Sequence, residues 1–236
     1  MEIIEILTDA LYYPLQNIKA LIIYVILGII FGVVFGAAVG VLAVSFAAQN
    51  VLATIGAGVL GFIVILLIGF VVLGYQLDII KLGIERSDDA PEIDFMRQFI
   101  NGFKLFVVNF VYLLIPVIIS SLLAIFLQHW ISIVINFIVG LVFGFALMMG
   151  ECRLAKTGDM MHALSVGGAI SDIGEIGFVK VILLMVLIAV IVFVLFFIAG
   201  LISNVNSTIG GIILGIFGVY ATFVTGRATG LLYSEI

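Results

Sequence analysis

The strongest constraint on this chain is the placement of its charged residues, because all 23 of them (9 basic and 14 acidic) lie outside three long blocks. The charge-free blocks are residues 20–77, 105–150 and 181–226, with 58, 46 and 46 residues. A helix that crosses a bilayer needs about 20 apolar residues, so a block of 46 residues holds two crossings and a tight turn. Each block therefore predicts a membrane hairpin of two helices.

Composition excludes an ordinary soluble domain. The chain is 65% hydrophobic and 10% charged, whereas soluble domains average about half apolar and a quarter charged. A length of 236 residues holds about six crossings and little else. We therefore expect an all-α integral membrane protein whose residues 1–236 form a single transmembrane domain.

Six transmembrane helices are predicted, joined in pairs by short uncharged turns. The predicted spans are Ala20–Ala47, Val51–Tyr75, Leu105–Leu127, Ile131–Met149, Val181–Ser203 and Ile209–Thr225. The first block is long enough for three short spans. Two tilted spans are preferred there, because its strong polar break lies at Gln49-Asn50.

All nine basic residues fall on one face of the predicted bundle. Basic residues concentrate in cytoplasmic segments, so this face and both termini are predicted to be cytoplasmic in a multi-pass protein of the cell membrane. The chain opens with the acidic residues Glu2, Glu5 and Asp9. A cleavable signal peptide would open with basic residues, so we expect none here.

The chain repeats with a period of 76 residues. Gly74, Gly150 and Gly226 leave the three blocks at this spacing, and Lys104 and Lys180 precede the second and third blocks. Such self-similarity predicts one supersecondary unit used several times, here an amphipathic helix followed by a hairpin. The approximate repeat units are 1–80, 81–156 and 157–236.

Three segments on the charged face have the pattern of amphipathic helices that lie in the membrane interface. These segments are Glu2–Tyr13, Asp94–Lys104 and Met160–Ile176. We expect Pro14 to bend or end the first helix, Asp94 to cap the second, and Gly167-Gly168 to interrupt the third.

The clearest packing pattern is a row of glycines four residues apart in the first span, with shorter rows in the fourth and sixth. The predicted helix-packing glycines are Gly28, Gly32, Gly36, Gly40, Gly140, Gly144, Gly211 and Gly215. Small residues at this spacing let another backbone approach closely. Packing inside the bundle is the first interpretation; an interface between copies, or a pathway lined by small residues, is the alternative.

Residues that carry chemistry are scarce in the predicted spans. Ionisable side chains inside a membrane usually mark function, and these spans contain none. Asn109, Asn136 and Tyr220 are predicted to face the bundle interior. His129 and His162 fall on opposite sides of the membrane and cannot share a metal. We therefore predict no catalytic residue, no cofactor and no metal site.

The connecting segment 85–94 carries five carboxylates in ten residues. Clustered carboxylates can bind Mg²⁺ or Ca²⁺, but this spacing matches no Ca²⁺ loop. We interpret the segment as a solvated loop that ends in a helix cap. An enzyme acting on lipid headgroups through Asp88, Asp89 and Glu92 is the third hypothesis for function.

Two hypotheses rank above that one. The first is a non-catalytic scaffold or accessory subunit of a membrane complex, because uncharged spans and short external turns suit helix association. The second is a transporter or channel for a neutral or lipid-like solute, which requires a cavity near the membrane midplane reaching Asn109, Asn136 or Tyr220. The expected partners are membrane lipids and either further copies of the chain or another membrane protein. Nucleic acid is not expected, because the chain has no basic stripe.

A family resemblance rests on short motifs distributed along most of the chain. They are Gly74-Tyr75-Gln76-Leu77-Asp78-Ile79-Ile80-Lys81, the acidic turn Asp88–Pro91, Phe99–Lys104 and Pro116. In these motifs the chain resembles an uncharacterised membrane family, domain of unknown function 4013, found mostly in archaea and some bacteria. The usual acidic-tryptophan pair after the proline is absent, and Ile93 and Asp94 stand nearby instead. The resemblance implies repeated hairpins and an archaeal source, and it implies no activity.

Overall fold

The computed structural model describes residues 1–127 and 129–236, without the side-chain surroundings of 31–33, 35, 36, 129, 207 and 208. All regular secondary structure in this described part is α-helical. The helices are α1 Ile3–Gln16, α2 Ile18–Ala47, α3 Val51–Ile84, α4 Phe95–Phe126, α5 His129–Thr157, α6 Met160–Ala163, α7 Val166–Ile176, α8 Phe178–Val205 and α9 Ser207–Tyr233.

Five helices are long and apolar enough to cross a membrane. They are α3, α4, α5 from Trp130 onward, α8, and α9 from Ile209 onward. A further candidate combines α1 with the first part of α2, Ile18–Ile30, across a bend of 77°. The prediction of an all-α protein with several membrane-crossing helices is confirmed. The 58-residue block contains two long helices, α2 and most of α3, which meet at Ala48–Asn50.

Burial divides the molecule into two regions along these long helices. We call residues 1–24, 70–112, 146–188 and 219–236 the base, and residues 25–69, 113–145 and 189–218 the tips. All 23 charged residues lie in the base. Among the tip residues whose surroundings are described, the buried ones are Ser45, Ser132, Ala199 and Gly210. The core of the molecule is therefore at the charged end of the helices.

The amphipathic helices complete this core. Ile6 and Ala10 of α1, Ala163 of α6 and Ala169 of α7 are fully buried in the base, where α1 packs on α9 and α7 packs on α5. An amphipathic helix must bury its apolar stripe against another element. Here the ends of the long helices supply that surface. Helix α1 ends at Gln16, two residues after Pro14, and the chain then bends into α2.

The predicted interface helix Asp94–Lys104 is the beginning of a longer helix. Helix α4 runs without interruption from Phe95 to Phe126, with Pro116 inside it. The cap prediction is confirmed, because the Asp94 carboxylate accepts a hydrogen bond from the Arg97 backbone N–H at 3.1 Å. The interfacial segment and the third span are thus one helix.

The predicted break at Gly167-Gly168 is wrong. The helical path is interrupted at Leu164 and Ser165 instead, between α6 and α7. The Ser165 hydroxyl accepts a hydrogen bond from the Gly168 N–H at 3.3 Å, so Ser165 caps a new helix in which both glycines lie in the first turn.

Helix α3 is central in the base, where it packs against α2, α4, α5 and α9. It crosses α4 where Gly74 meets Gly102, and a Cβ on either glycine would collide with the backbone of the other helix. It crosses α9 where Gly83 meets Gly230, and a Cβ on Gly83 would lie 3.0 Å from the Gly230 Cα. Two glycine pairs therefore set how closely the central helix approaches its neighbours.

Candidate functional site at the base

Arg227 of α9 is the most enclosed charged residue in the described structure, with 1% of its surface exposed. Its Nε donates a hydrogen bond to Asp9 Oδ1 at 2.7 Å, its Nη2 donates to Asp88 Oδ1 at 2.7 Å, and its Nη1 donates to the Ser87 carbonyl. The guanidinium also lies 4.8 Å from the centroid of the Tyr13 ring. Charge-assisted hydrogen bonds and a cation–π contact thus tie α9 to α1 and to the α3–α4 loop.

This arrangement assigns structural partners to much of the acidic segment 85–94. Asp88 binds Arg227, Asp94 caps α4, and Asp89 accepts a hydrogen bond from the Ser87 hydroxyl at 3.3 Å. Within the described ranges, no group of three His, Cys, Asp or Glu residues is placed to hold a metal ion. These carboxylates therefore close the base by connecting its helices.

A second buried ion pair joins α5 to α7. Arg153 Nε lies 3.0 Å from Asp172 Oδ2, and the Tyr233 hydroxyl donates to the same oxygen at 2.8 Å. A Cβ on Gly168 would collide with the Arg153 guanidinium, so glycine at this position makes room for the arginine. The pair lies in the interior of the base, where the tyrosine links it to the end of α9.

An aromatic cluster joins α2, α3 and α9. The rings of Tyr24 and Tyr75 are stacked with centroids 3.7 Å apart, and the Phe223 centroid lies 5.5 Å from that of Tyr75. A largely apolar cavity of about 280 Å³ borders the cluster. Gly28 and Gly69 line this cavity, and an added Cβ on Gly69 would meet no atom within 4 Å. The base therefore contains an apolar space beside its aromatic core.

Two polar cavities lie on the other side of α3. One, of about 210 Å³, lies between α3, α4 and α5 and is lined by Asp78, Lys81, Asn101, Lys104 and Lys156, among others. The second, of about 560 Å³, shares the first three of these residues and extends along the acidic loop. Three of the nine basic residues therefore surround one small cavity.

Lys180 at the start of α8 forms an ion pair with Glu235 beyond α9. Its Nζ lies 2.6 Å from both carboxylate oxygens of Glu235, and the amino group of Met1 donates to Oε1 at 2.8 Å. Partial burial alone would raise the pKa of the Glu235 carboxyl. The hydrogen bonds from Lys180 and Met1 outweigh that effect and hold this pKa below its usual value.

The glycines singled out by spacing have different surroundings. A Cβ on Gly28 would meet Val219 at 3.3 Å, whereas the positions of Gly32 and Gly36 are outside the described side-chain surroundings. The remaining five glycines would each carry a Cβ with no atom of another helix within 4 Å. These five open glycines are Gly40, Gly140, Gly144, Gly211 and Gly215.

The three polar residues singled out in the spans lie apart from one another. Asn109 Oδ1 is buried without a hydrogen-bond partner, and Asn136 Nδ2 donates to Ser132 Oγ at 3.4 Å. The Tyr220 hydroxyl donates to the Leu11 carbonyl at 2.8 Å and so fastens α9 to α1. The structure does not combine these residues into one site.

Sequence reasoning did not identify the residues that the base brings together. Asp9 and Asp88 lie 218 and 139 residues from Arg227, and no local pattern pairs residues so far apart. The one available signal was that charges border every block, which placed them at a common end without assigning partners.

Comparison with known proteins gives a family and no activity. No curated protein and no solved structure matches the chain. Residues 57–204, more than half of the chain, match the family described as "Protein of unknown function (DUF4013)", and the chain therefore belongs to that family.

Proposed function

We propose that the protein is a non-catalytic, six-span component of the cell membrane that acts as a scaffold or as an accessory subunit of a membrane complex. The bent pair of α1 and α2 supplies the first crossing in this proposal, and the five long apolar helices supply the others. The base and both termini face the cytoplasm, because all the basic residues lie there.

We also infer that the six spans form three hairpins built from one repeated unit. Lys104 Nζ donates to the Gly158 carbonyl 54 residues later, and Lys180 Nζ donates to Glu235 55 residues later. Each lysine reaches from the first helix of a hairpin to the segment that follows its second helix. In the first unit Gly28 occupies the corresponding position, 76 residues before Lys104.

The three glycines that end the blocks support the same inference. An added Cβ on Gly74 would collide with the backbone at Gln98, and one on Gly150 would lie 3.0 Å from the Tyr112 ring. One on Gly226 would lie 3.1 Å from Ile79 Cγ2. Each of the three glycines, spaced by 76 residues, thus lies where its helix meets a neighbour.

The observation that carries the scaffold proposal is the open surface of the tips. Leu52, Phe126 and Val205 are more than 80% exposed, and the five open glycines lie on helices that have room for another backbone. Lipid chains cover any apolar surface in a bilayer. Glycine rows favour helices instead, because small residues allow the close packing that holds membrane helices together.

The test is to fill one glycine row and measure association. Gly140→Leu with Gly144→Leu adds bulk where this chain has open space, so the base should remain folded. Ala189→Leu is the control, because Ala189 is an exposed small residue of α8 outside the glycine rows. Native mass spectrometry of gently extracted protein should show a homo-oligomer or a stoichiometric partner that the double variant loses and the control keeps. A solitary wild-type chain would contradict the proposal.

A second candidate is a transporter or binding protein for a lipid-like solute. The apolar cavity of about 280 Å³ favours it, since its lining includes Val219 and Thr222 on either side of Tyr220 in α9. Gly69→Leu would place a side chain in this space. A small molecule or lipid that is retained by the wild type and lost in this variant would favour the second candidate over the scaffold.

A further inference from the structure

Three lysines from three different helices surround the cavity of about 210 Å³ in the base. Lys81 lies on α3, Lys104 on α4 and Lys156 on α5, at sequence separations of 23 and 52 residues. Because of these separations no basic segment appears in the sequence. The cluster is produced by the packing of the helices.

The negative charge that lines this cavity is already neutralised. Asp78 Oδ2 lies 3.3 Å from Arg97 Nη2, and Asp78 Oδ1 accepts a hydrogen bond from the Asn101 amide at 3.2 Å. The single carboxylate of the lining therefore has a cation of its own, and the positive charge of the three lysines is in excess.

Two of the lysines are held in place by main-chain oxygens. Lys104 Nζ donates to the Gly158 carbonyl at 3.2 Å, and Lys156 Nζ donates to the Ile236 oxygen at 2.8 Å. Among the Asp and Glu side chains that the structure describes, none pairs with either lysine. Each ammonium carries three N–H donors, so each retains donors for a ligand.

Lys81 is the least engaged of the three. Its side chain is 57% exposed, and its nearest described carboxylate is that of Glu85 at 4.0 Å, an exposed pair of little energetic value. Lys81 can therefore turn towards an anion in the cavity without breaking a contact that holds the fold.

The cavity lies at the level where the apolar outer surface of the helices begins. Phe103 and Phe106 on either side of Lys104 are 49% and 40% exposed, and the charge-free block starts at residue 105. Lipid phosphates lie at this boundary between apolar and polar surface. A volume of 210 Å³ equals that of about seven waters, which is enough for a phosphate group.

We propose that this cavity binds a phosphate group, held by Lys81, Lys104 and Lys156. Lysine is a common phosphate ligand that acts as a point charge. Three such charges arriving from three helices suit an anion with several oxygens at different angles. The phosphate can belong to a membrane lipid headgroup or be free in solution, and both have the same chemistry at the lysines. This binding site does not depend on the proposed scaffold role.

The test measures retention of phosphatidylglycerol by the detergent-solubilised full chain in native mass spectrometry. Diacylglycerol with the same acyl chains serves as the phosphate-free comparison, and inorganic phosphate as the competitor. We expect the wild type to retain phosphatidylglycerol and not diacylglycerol. Lys81→Gln and Lys104→Gln should each reduce retention about fivefold, which corresponds to about 1 kcal/mol for each lysine near an anionic lipid.

The matched control is Lys19→Gln, which removes the same charge from another exposed position of the base. Gln at position 104 can still donate to the Gly158 carbonyl, and Lys81→Gln alone decides the test if the other variant fails to fold. Inorganic phosphate that binds with the same lysine dependence, without lipid retention, would identify a soluble ligand. Absence of binding by both phosphate species, or equal losses in Lys19→Gln, would overturn the proposal. Oligomeric mass read from the same spectra tests the scaffold role separately.

Discussion

The base and the tips are built from the same apolar helices and use them in opposite ways. In the base, glycines lie where helices cross, and the described charges pair across long sequence separations, as Arg227 does with Asp9 and Asp88. In the tips, glycines face open space and most described residues are exposed. The contrast teaches that hydrophobicity selects the membrane, whereas close backbone crossings and a few ion pairs determine how the helices are held together.

The largest effect is expected from adding one methyl group to a base glycine. Gly102→Ala would force α4 away from α3, because its Cβ collides with the backbone near Phe70, which cannot rotate aside as a side chain can. We expect a loss of at least about 3 kcal/mol of folding free energy, at the upper end for overpacking. Thermal unfolding in detergent, followed by far-UV circular dichroism, measures it.

The tip glycine Gly144 provides the comparison for that variant. Gly144→Ala meets no atom of another helix within 4 Å and should leave the unfolding temperature of the isolated chain nearly unchanged. Equal destabilisation by both substitutions would break the distinction between base and tips.

The second effect concerns the ion pairs of the base. Arg227→Met preserves apolar bulk but leaves Asp9 and Asp88 without their cation and Tyr13 without its cation–π partner. Breaking a buried pair costs about 3–5 kcal/mol. Since Asp88 is 77% exposed, we expect a loss of about 2 kcal/mol. Chemical unfolding of the purified protein measures it. Lys19→Met, at an exposed lysine of the base, should cost much less.

A smaller effect should appear as a pH dependence of stability. The pKa of Glu235 is lowered in the folded protein, so its pairing with Lys180 stabilises the fold fully above the unfolded value of about 4.3. This stabilisation is lost as the pH falls through the lower folded value. The pair is partly exposed, so we expect less than about 1 kcal/mol.

Comparison of the wild type with Glu235→Gln isolates this contribution. The difference in unfolding temperature should be constant between pH 7 and about 5 and should shrink below about pH 4. A difference that grows as the pH falls would reverse the assigned sign and remove this pair from the interactions that hold the base.

The sequence predicted the helices better than it predicted their contacts. Charge-free blocks and the polar break at Gln49-Asn50 located the long helices and the turn Ala48–Asn50, because hydropathy and chain length act locally. Glycine spacing drew attention to rows such as Gly140 and Gly144, which face open space in this chain. The tightest crossings use one glycine from each helix, as at Gly74 and Gly102, and a single glycine carries no periodic signal.

The candidate sites were beyond sequence reasoning for a related reason. Arg227 and its two carboxylates, like Lys81, Lys104 and Lys156, are brought together by helix packing from distant positions. A helix cap such as that of Asp94 on the Arg97 N–H spans three residues and was predictable. Predictability therefore decreased as the sequence separation between partners increased.

The smallest effect sharpens the comparison within one helix. Gly69 and Gly74 are five residues apart in α3, on the two sides of the boundary between tip and base. A Cβ on Gly69 meets no atom within 4 Å, whereas one on Gly74 collides with the backbone at Gln98. Gly69→Ala should stabilise the protein by about 0.5 kcal/mol, because alanine is the better helix former, whereas Gly74→Ala should disrupt it. Thermal unfolding of the two variants side by side measures the difference, and a loss of stability in Gly69→Ala would show that the close packing of the base extends at least one turn further towards the tips.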